Sequence, residues 1–102
     1  MSVTQRIAEN GKRIDIQVTG RFDFASSQAF RDAYRDLPEQ TGVHFHIDLS
    51  EASYMDSSAL GMLLLLREHA KSKGGEVIIE RPAEPINKIL KVANFEQLFR
   101  IN

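Results

Sequence analysis

Apolar residues in this chain recur with two distinct periods, and the change from one to the other marks out its elements. From Arg13 onward, Ile14, Ile16 and Val18 alternate with Asp15 and Gln17, the pattern of a strand with one buried face. Thr19-Gly20 predicts the end of that strand. Val43, Phe45, Ile47 and Leu49 alternate in the same way with His44, His46 and Asp48, and Glu76 to Glu80 reads as another strand. Ser2 to Ala8 is a weaker strand, joined to the next by a hairpin turn at Asn10-Gly11. Apolar residues spaced three and four apart predict three helices. The first runs from Ala25 to Asp36, with Phe30, Ala33, Tyr34 and Leu37 as its stripe and Pro38 as its stop. The second covers Ser57 to Ser72 and is closed by Gly74; the third covers Pro85 to Val92, carrying Ile86, Ile89, Leu90 and Ala93. Glu51 to Asp56 reads as loop, and Phe95 to Ile101 as a short turn with a final edge segment.

Strands that are apolar on one side and charged on the other cannot be covered by helices on both faces, which would require continuous apolar runs. The expected fold is therefore α/β: a mixed β-sheet with helices packed mainly on one face and the other face wet. No linker, repeat or low-complexity run divides the chain, so a single domain is expected over residues 1–102. The absence of cysteine excludes disulfides and thiolate metal sites and suits a reducing compartment. Met1 to Gly11 lacks the apolar stretch of a signal peptide, and Ala59 to Leu66 is too short to span a bilayer. A cytoplasmic protein without direct membrane binding is expected. Charge is unevenly distributed. No Lys or Arg occurs from Asp36 through Leu66, whereas Asp36, Glu39, Asp48, Glu51 and Asp56 all do. This predicts an electronegative neighbourhood around Ser57 and argues against a nucleic-acid partner.

The chemistry worth following lies in Tyr54-Met55-Asp56-Ser57-Ser58-Ala59-Leu60-Gly61, where an acid and two hydroxyls precede an apolar helix. Asp56 suits the N-cap, its carboxylate accepting from the N–H of Ser58 or Ala59. Ser57 then occupies the first helical position with its hydroxyl outward, and Ser58 turns toward the first helical turn. A helix start carries unpaired N–H groups and partial positive charge, so a phosphate on Ser57 would be tolerated locally. Leu60, Met62, Leu63, Leu64, Leu65 and Leu66 lie almost all round this helix. One sheet face cannot bury them all, leaving apolar surface near Ser57. Gly61 is a poor helix former, which close approach of another backbone, from within the domain or from a partner, would explain. Two readings compete: a plain helix cap, or a modifiable serine on a docking surface. Gly20-Arg21-Phe22-Asp23 favours the second, because it too leaves a strand for a helix. If the two strands are parallel neighbours, Asp23 and Ser57 meet at one sheet edge.

Elsewhere, His44, His46 and Asp48 share a strand face at a spacing that could serve a metal, but the polar side of a one-sided sheet accounts for them equally well and no metal is expected. There is no phosphate-cradling glycine loop followed by Lys-Ser/Thr, and no serine–histidine–acid set with recognisable spacing. No catalytic residue and no cofactor are expected.

Taken together, Asp48-Leu49-Ser50, Tyr54 to Gly61, Gly20 to Asp23 and Gly74-Gly75 resemble the STAS domain of bacterial anti-sigma factor antagonists, and the likeness covers essentially the whole chain. The resemblance implies a non-enzymatic partner-switching adaptor. Its unmodified form binds an anti-sigma factor, often also a serine kinase, and so frees a sigma factor or another client. The kinase modifies the serine after the motif aspartate, here Ser57, and a metal-dependent serine phosphatase reverses it. The implied contact surface comprises Asp23, Asp56, Ser57, Ser58, Leu60 and Gly61. Ala59 stands where the family usually has glycine; alanine fits a helix better, so the site is retained. The alternative within the resemblance is a STAS-type accessory subunit of a lipid or anion transporter, docking its partner without a phospho-switch.

Overall fold

The structure, a computed structural model, describes residues 2–8, 10–35, 37 and 41–102. In chain order the elements are β1 (Ser2–Ile7), β2 (Arg13–Phe22), α1 (Ser27–Arg35), β3 (His44–Asp48), β4 (Ala52–Met55), α2 (Ser57–Ser72), β5 (Glu76–Glu80), α3 (Glu84–Val92) and β6 (Arg100–Ile101). Single 3-10 turns occupy Phe24–Ser26 and Phe95–Gln97. The sheet order is β1-β2-β3-β5-β6, and β4 pairs with β2 beyond the end of β3. β1 is antiparallel to β2, and all other pairings are parallel, so the sheet is mixed.

The period-2 pattern sets the register. Ile16, Ile47 and Ile79 pair across β2, β3 and β5, and all three are fully buried. Burial of each such side chain contributes about 1.5–3 kcal/mol against leaving it exposed. The same side of the sheet receives Phe30 and Tyr34 from α1, Leu63 and Leu66 from α2, and Ile86 and Leu90 from α3. All three helices therefore pack on one face. The opposite face carries Asp15, Gln17, His44, His46, Asp48, Glu76 and Glu80, none of them buried. Ile78 is the apolar exception, buried between its register partners His46 and Arg100.

The structure revises three boundaries. β2 does not stop at Thr19-Gly20. Gly20 takes a φ of +83°, which only glycine adopts freely, and the register shifts there; the strand resumes at Arg21 and Phe22. The expected loop over Glu51 to Asp56 contains β4, whose burial runs buried-exposed-exposed-buried and so lacks the alternation that reveals a strand. The first helix begins not as α-helix at Ala25 but as a 3-10 turn after Asp23, with α1 following from Ser27. Its expected end at Asp36 and Pro38 falls outside the described residues. Ser57 to Ser72 and Glu76 to Glu80 match expectation, and Gly74 ends α2 at a φ of +74°.

Candidate functional site

β2 and β4 run parallel, with Phe22 opposite Met55, so the chain leaves both strands at the same sheet edge. Phe22 and Met55 are buried and anchor the two exits in the core. The carboxylate of Asp56 then joins the turn after β2 to the start of α2. Its Oδ1 accepts from the N–H of Ala59 at 2.9 Å, capping α2, while Oδ2 accepts from the N–H of Phe24 at 3.3 Å. The backbone N–H of Asp56 also donates to the carbonyl of Phe22 at 3.3 Å. One side chain thus serves as helix cap and as strut between the two turns.

Asp23 is the cap of the neighbouring turn. Its Oδ1 accepts from the N–H of Ala25 at 3.1 Å, and its own N–H donates to Oγ of Ser26 at 3.2 Å. Ser26 is fully buried and donates in turn to the carbonyl of Arg21 at 3.1 Å. Asp23 and Asp56 therefore cap two linked, hydrogen-bonded turns, and both are partly exposed. Ser57 opens α2 and is exposed; Ser58 is half-buried in a groove between α1 and α2. That groove measures about 400 Å³ and is lined mainly by Phe24, Phe30, Tyr34, Met62 and Leu65, with Gly61 at its edge. Leu60 lies on the other flank of α2, beside α3.

Asp23, Asp56, Ser57, Ser58, Leu60 and Gly61 thus lie around the first turns of α2 and the turn linked to it. Gly61 has no intramolecular reason to be glycine, since a Cβ built there would meet nothing within 4 Å. Among the described residues, no backbone outside its own helix approaches Gly61 closely. Leu65 is among the leucines of α2 expected to leave apolar surface near Ser57, whereas Phe24 escaped sequence reading. Phe24 is 74% exposed and Leu65 is 63% exposed, the largest exposures of an aromatic and of a leucine in the described chain. The only signal for Phe24 was an aromatic in a turn otherwise occupied by small and polar residues.

Two cations also stand in the neighbourhood expected to be electronegative. Arg21 reaches Asp23 at 3.4 Å and stacks 4.3 Å from the ring centre of Tyr54, while Arg31 lines the α1–α2 groove. Both arginines lie far from Ser57 in sequence, so the local charge count could not include them. Parallel pairing of β2 with β4 and packing of α1 on α2 bring them in.

The other motif residues lie away from this edge. Asp48 accepts from the N–H and the hydroxyl of Ser50 at 2.9 and 2.7 Å, and pairs with Arg81. Burial opposes ionisation of Asp48, but the Ser50 and Arg81 contacts outweigh it and hold the carboxyl below its usual range. His44 and His46 each pair with a carboxylate of β5, Glu76 at 3.4 Å and Glu80 at 2.8 Å. Among the described residues no three His, Asp or Glu side chains come together as a metal site would require. No described helix is long and apolar enough to cross a membrane.

Known proteins resemble the chain over nearly its whole length. Residues 6–100 match the family model described as "Mlab, STAS domain". A STAS-domain containing protein of Pseudomonas aeruginosa is 44% identical over 102 residues, covering the whole of both chains. The anti-sigma-B factor antagonist of Bacillus subtilis is 26% identical over 102 residues, covering all of this chain and 93% of the relative. Among solved structures, the Bacillus anti-sigma factor antagonist SpoIIAA in its unphosphorylated form superposes with a TM-score of 0.70 at 15% identity, covering 99% of this chain and 87% of that one. Its phosphorylated form gives 0.69, again at 15% identity, over 99% of this chain and 91% of that one. A sulfate transporter family protein from Wolinella succinogenes gives 0.76 at 14% identity, over 92% of this chain and 83% of that one.

Proposed function

The chain belongs to the STAS domain family, and from that premise we propose that it is an anti-sigma factor antagonist, a non-enzymatic adaptor whose partner is switched by phosphorylation of Ser57. The observation that carries the reading is the double role of Asp56. By capping α2 and tying the Phe24 turn to it, this carboxylate holds an exposed serine next to a second, partly exposed acid and an apolar groove. Homology to anti-sigma-B factor antagonists supports the same role. Unphosphorylated Ser57 would lie flush within a contact surface formed by Asp23, Asp56, Ser57, Ser58, Leu60 and Gly61, joined by Phe24 and Leu65.

Phosphorylation acts through the interface in this reading, not through refolding. The phosphate adds about −1.5 to −2 charge. A helix start tolerates it, and the fold is matched nearly equally by SpoIIAA in its two forms. A partner's acid about 6 Å away, at an effective dielectric of about 20, would be repelled by ~3 kcal/mol per unit charge pair. After screening, ~2–3 kcal/mol corresponds to a loss of affinity on the order of fifty- to hundredfold. That suffices to exchange partners. An anti-sigma factor or serine kinase is the expected partner of the unmodified form, and a metal-dependent serine phosphatase resets it; a cytoplasmic location suits both.

The test is to incubate the protein with lysate and ATP, map the modified residue, and compare partners captured by wild type, Ser57→Ala and Ser57→Asp. The switch requires modification at Ser57 and a protein held by the Ala variant and released by the Asp variant. Identical partner sets for all three, with a transporter component among them, would instead support the accessory-subunit reading, which the likeness to a sulfate transporter family protein favours.

A further inference from the structure

The two edges of the sheet differ. β6 is only 2 residues long, whereas β1 runs 6 residues without proline or bulge, and all but Val3 are exposed. The bonds around β1 show which way its backbone points. The N–H of Ala8 donates to the carbonyl of Arg13 at 2.9 Å, and the same register pairs Ile7 with Ile14 and Arg6 with Asp15. Bonded and non-bonded pairs alternate in an antiparallel ladder, so Ser2, Thr4 and Arg6 turn their amides toward β2. Val3, Gln5 and Ile7 turn theirs away from the sheet. β2 agrees: the carbonyl of Lys12, in step with Ile14, Ile16 and Val18, accepts from the N–H of His44 at 2.8 Å on the β3 side. The N–H and C=O groups of Val3, Gln5 and Ile7 therefore line an open edge, and no described backbone group pairs with them.

The symmetry of this edge identifies its occupant. Two copies related by a two-fold axis normal to the sheet run antiparallel at β1. With the axis through Gln5, every outward residue meets an outward residue: Val3 meets Ile7, and Gln5 meets Gln5. About six hydrogen bonds then close the edge. The side chains match in the same register. Val3 and Ile7 lie on the helix-bearing face, so Ile7, 46% exposed in the single chain, packs on the half-buried Val3 of the second copy. On the wet face Arg6 meets Thr4. Arg6 is the one charge in β1 and stands opposite Asp15 in its own sheet, so no like charges oppose each other. The flank of α1 over β1 carries Ala33, whose carbonyl accepts from Nε2 of Gln5 at 2.8 Å, and Ala29 one turn earlier. Small side chains thus border the helix layer of the second copy. We propose that β1 is a self-pairing edge, through which two copies of the chain join antiparallel into one continuous sheet. β4 and the start of α2 lie across β2 from β1, so the pair presents two Ser57 surfaces away from the join. The pairing does not depend on modification of Ser57.

Sedimentation equilibrium of the whole protein, from about ten micromolar to about one millimolar, is expected to show a dimer that grows with concentration. Amide exchange at Val3, Gln5 and Ile7 should slow in parallel, with Thr4 and Arg6 unchanged. Gln5→Pro deletes an outward N–H that β2 does not use, so the ladder to β2 survives while association falls at least about tenfold. Gln5→Ala keeps that N–H and should associate as wild type. Thermal melts check both folds. Ile7→Lys, at an exposed position, should weaken association at least about tenfold without changing the melt. Because the chain has no cysteine, mild oxidation reads the register directly. Gln5→Cys faces itself across the axis and should form a disulfide-linked dimer, whereas Ile7→Cys faces Val3 and should not. The proposal is overturned if the protein stays monomeric at millimolar concentration, or if Gln5→Pro and Ile7→Lys associate as wild type. Equal cross-linking of Ile7→Cys and Gln5→Cys overturns it too. So does a monomer whose edge amides gain protection only when another protein is added, which would make β1 the acceptor of a foreign strand.

Discussion

Replacing Asp56 separates the structural and functional duties of the site in a single residue. Asp56→Ala removes the acceptor for Ala59 N–H, an N-cap contact worth about 1 kcal/mol. It also removes a negative charge from the helix start, worth roughly 0.3–1 kcal/mol. The 3.3 Å strut to Phe24 N–H goes as well, but Phe24 is exposed and water replaces part of that bond, so about 0.5 kcal/mol is lost there. The sum is ~2 kcal/mol, which for a domain of this size lowers Tm by about 10 °C. Asp56→Asn retains an oxygen that can cap the helix and loses only the charge and one acceptor, so its cost should be about 1 kcal/mol or less. Urea unfolding monitored by circular dichroism measures both values. Amide exchange adds a sharper readout, because the N–H groups of Phe24 and Ala59 should lose protection together in Asp56→Ala. An Ala variant within ~0.5 kcal/mol of wild type, or faster exchange at Ala59 with Phe24 unaffected, would refute the idea that one carboxylate ties the two turns.

Other expectations rest on the same contacts. Gly61→Ala should raise stability by about 0.5–1 kcal/mol, since its Cβ meets nothing, while weakening capture of a partner that approaches the backbone there. Gly75→Ala should fail to fold or lose more than about 3 kcal/mol by thermal melt, because its Cβ would collide with the carbonyl oxygen of Val43. Asp48 has a folded pKa below its unfolded value, so it contributes stability above the unfolded value that disappears as pH falls through the folded one. Ser50→Ala removes part of that depression, so the variant should be less stable than wild type at neutral pH in urea titrations. The two should converge once the pH falls below both values. Phosphoserine installed at residue 57 should leave the circular dichroism spectrum unchanged while lowering affinity for the captured partner about fifty- to hundredfold.

Sequence alone determined the elements whose burial is periodic. The alternation through Ile14, Ile16 and Val18 and through Phe45 and Ile47 gave strands and their inward faces. Opposite parity gave a wet second face, and with it three helices on one side. The Asp56 cap and the start of α2 at Ser57 were legible because capping is a contact between residues three apart. Tertiary structure decided what depends on distant partners. β4 is a strand because β2 continues past Gly20 to pair with it, and neither segment carries an alternation that says so. Arg21 and Arg31 reach the serine's neighbourhood through sheet pairing and helix packing, which a running charge count does not register. The link from Asp56 to Phe24 spans 32 residues, and the exposure of Phe24, Leu65 and Val92 depends on what packs beside them. Local periodicity reports which way a side chain points; only the assembled neighbours determine whether anything meets it.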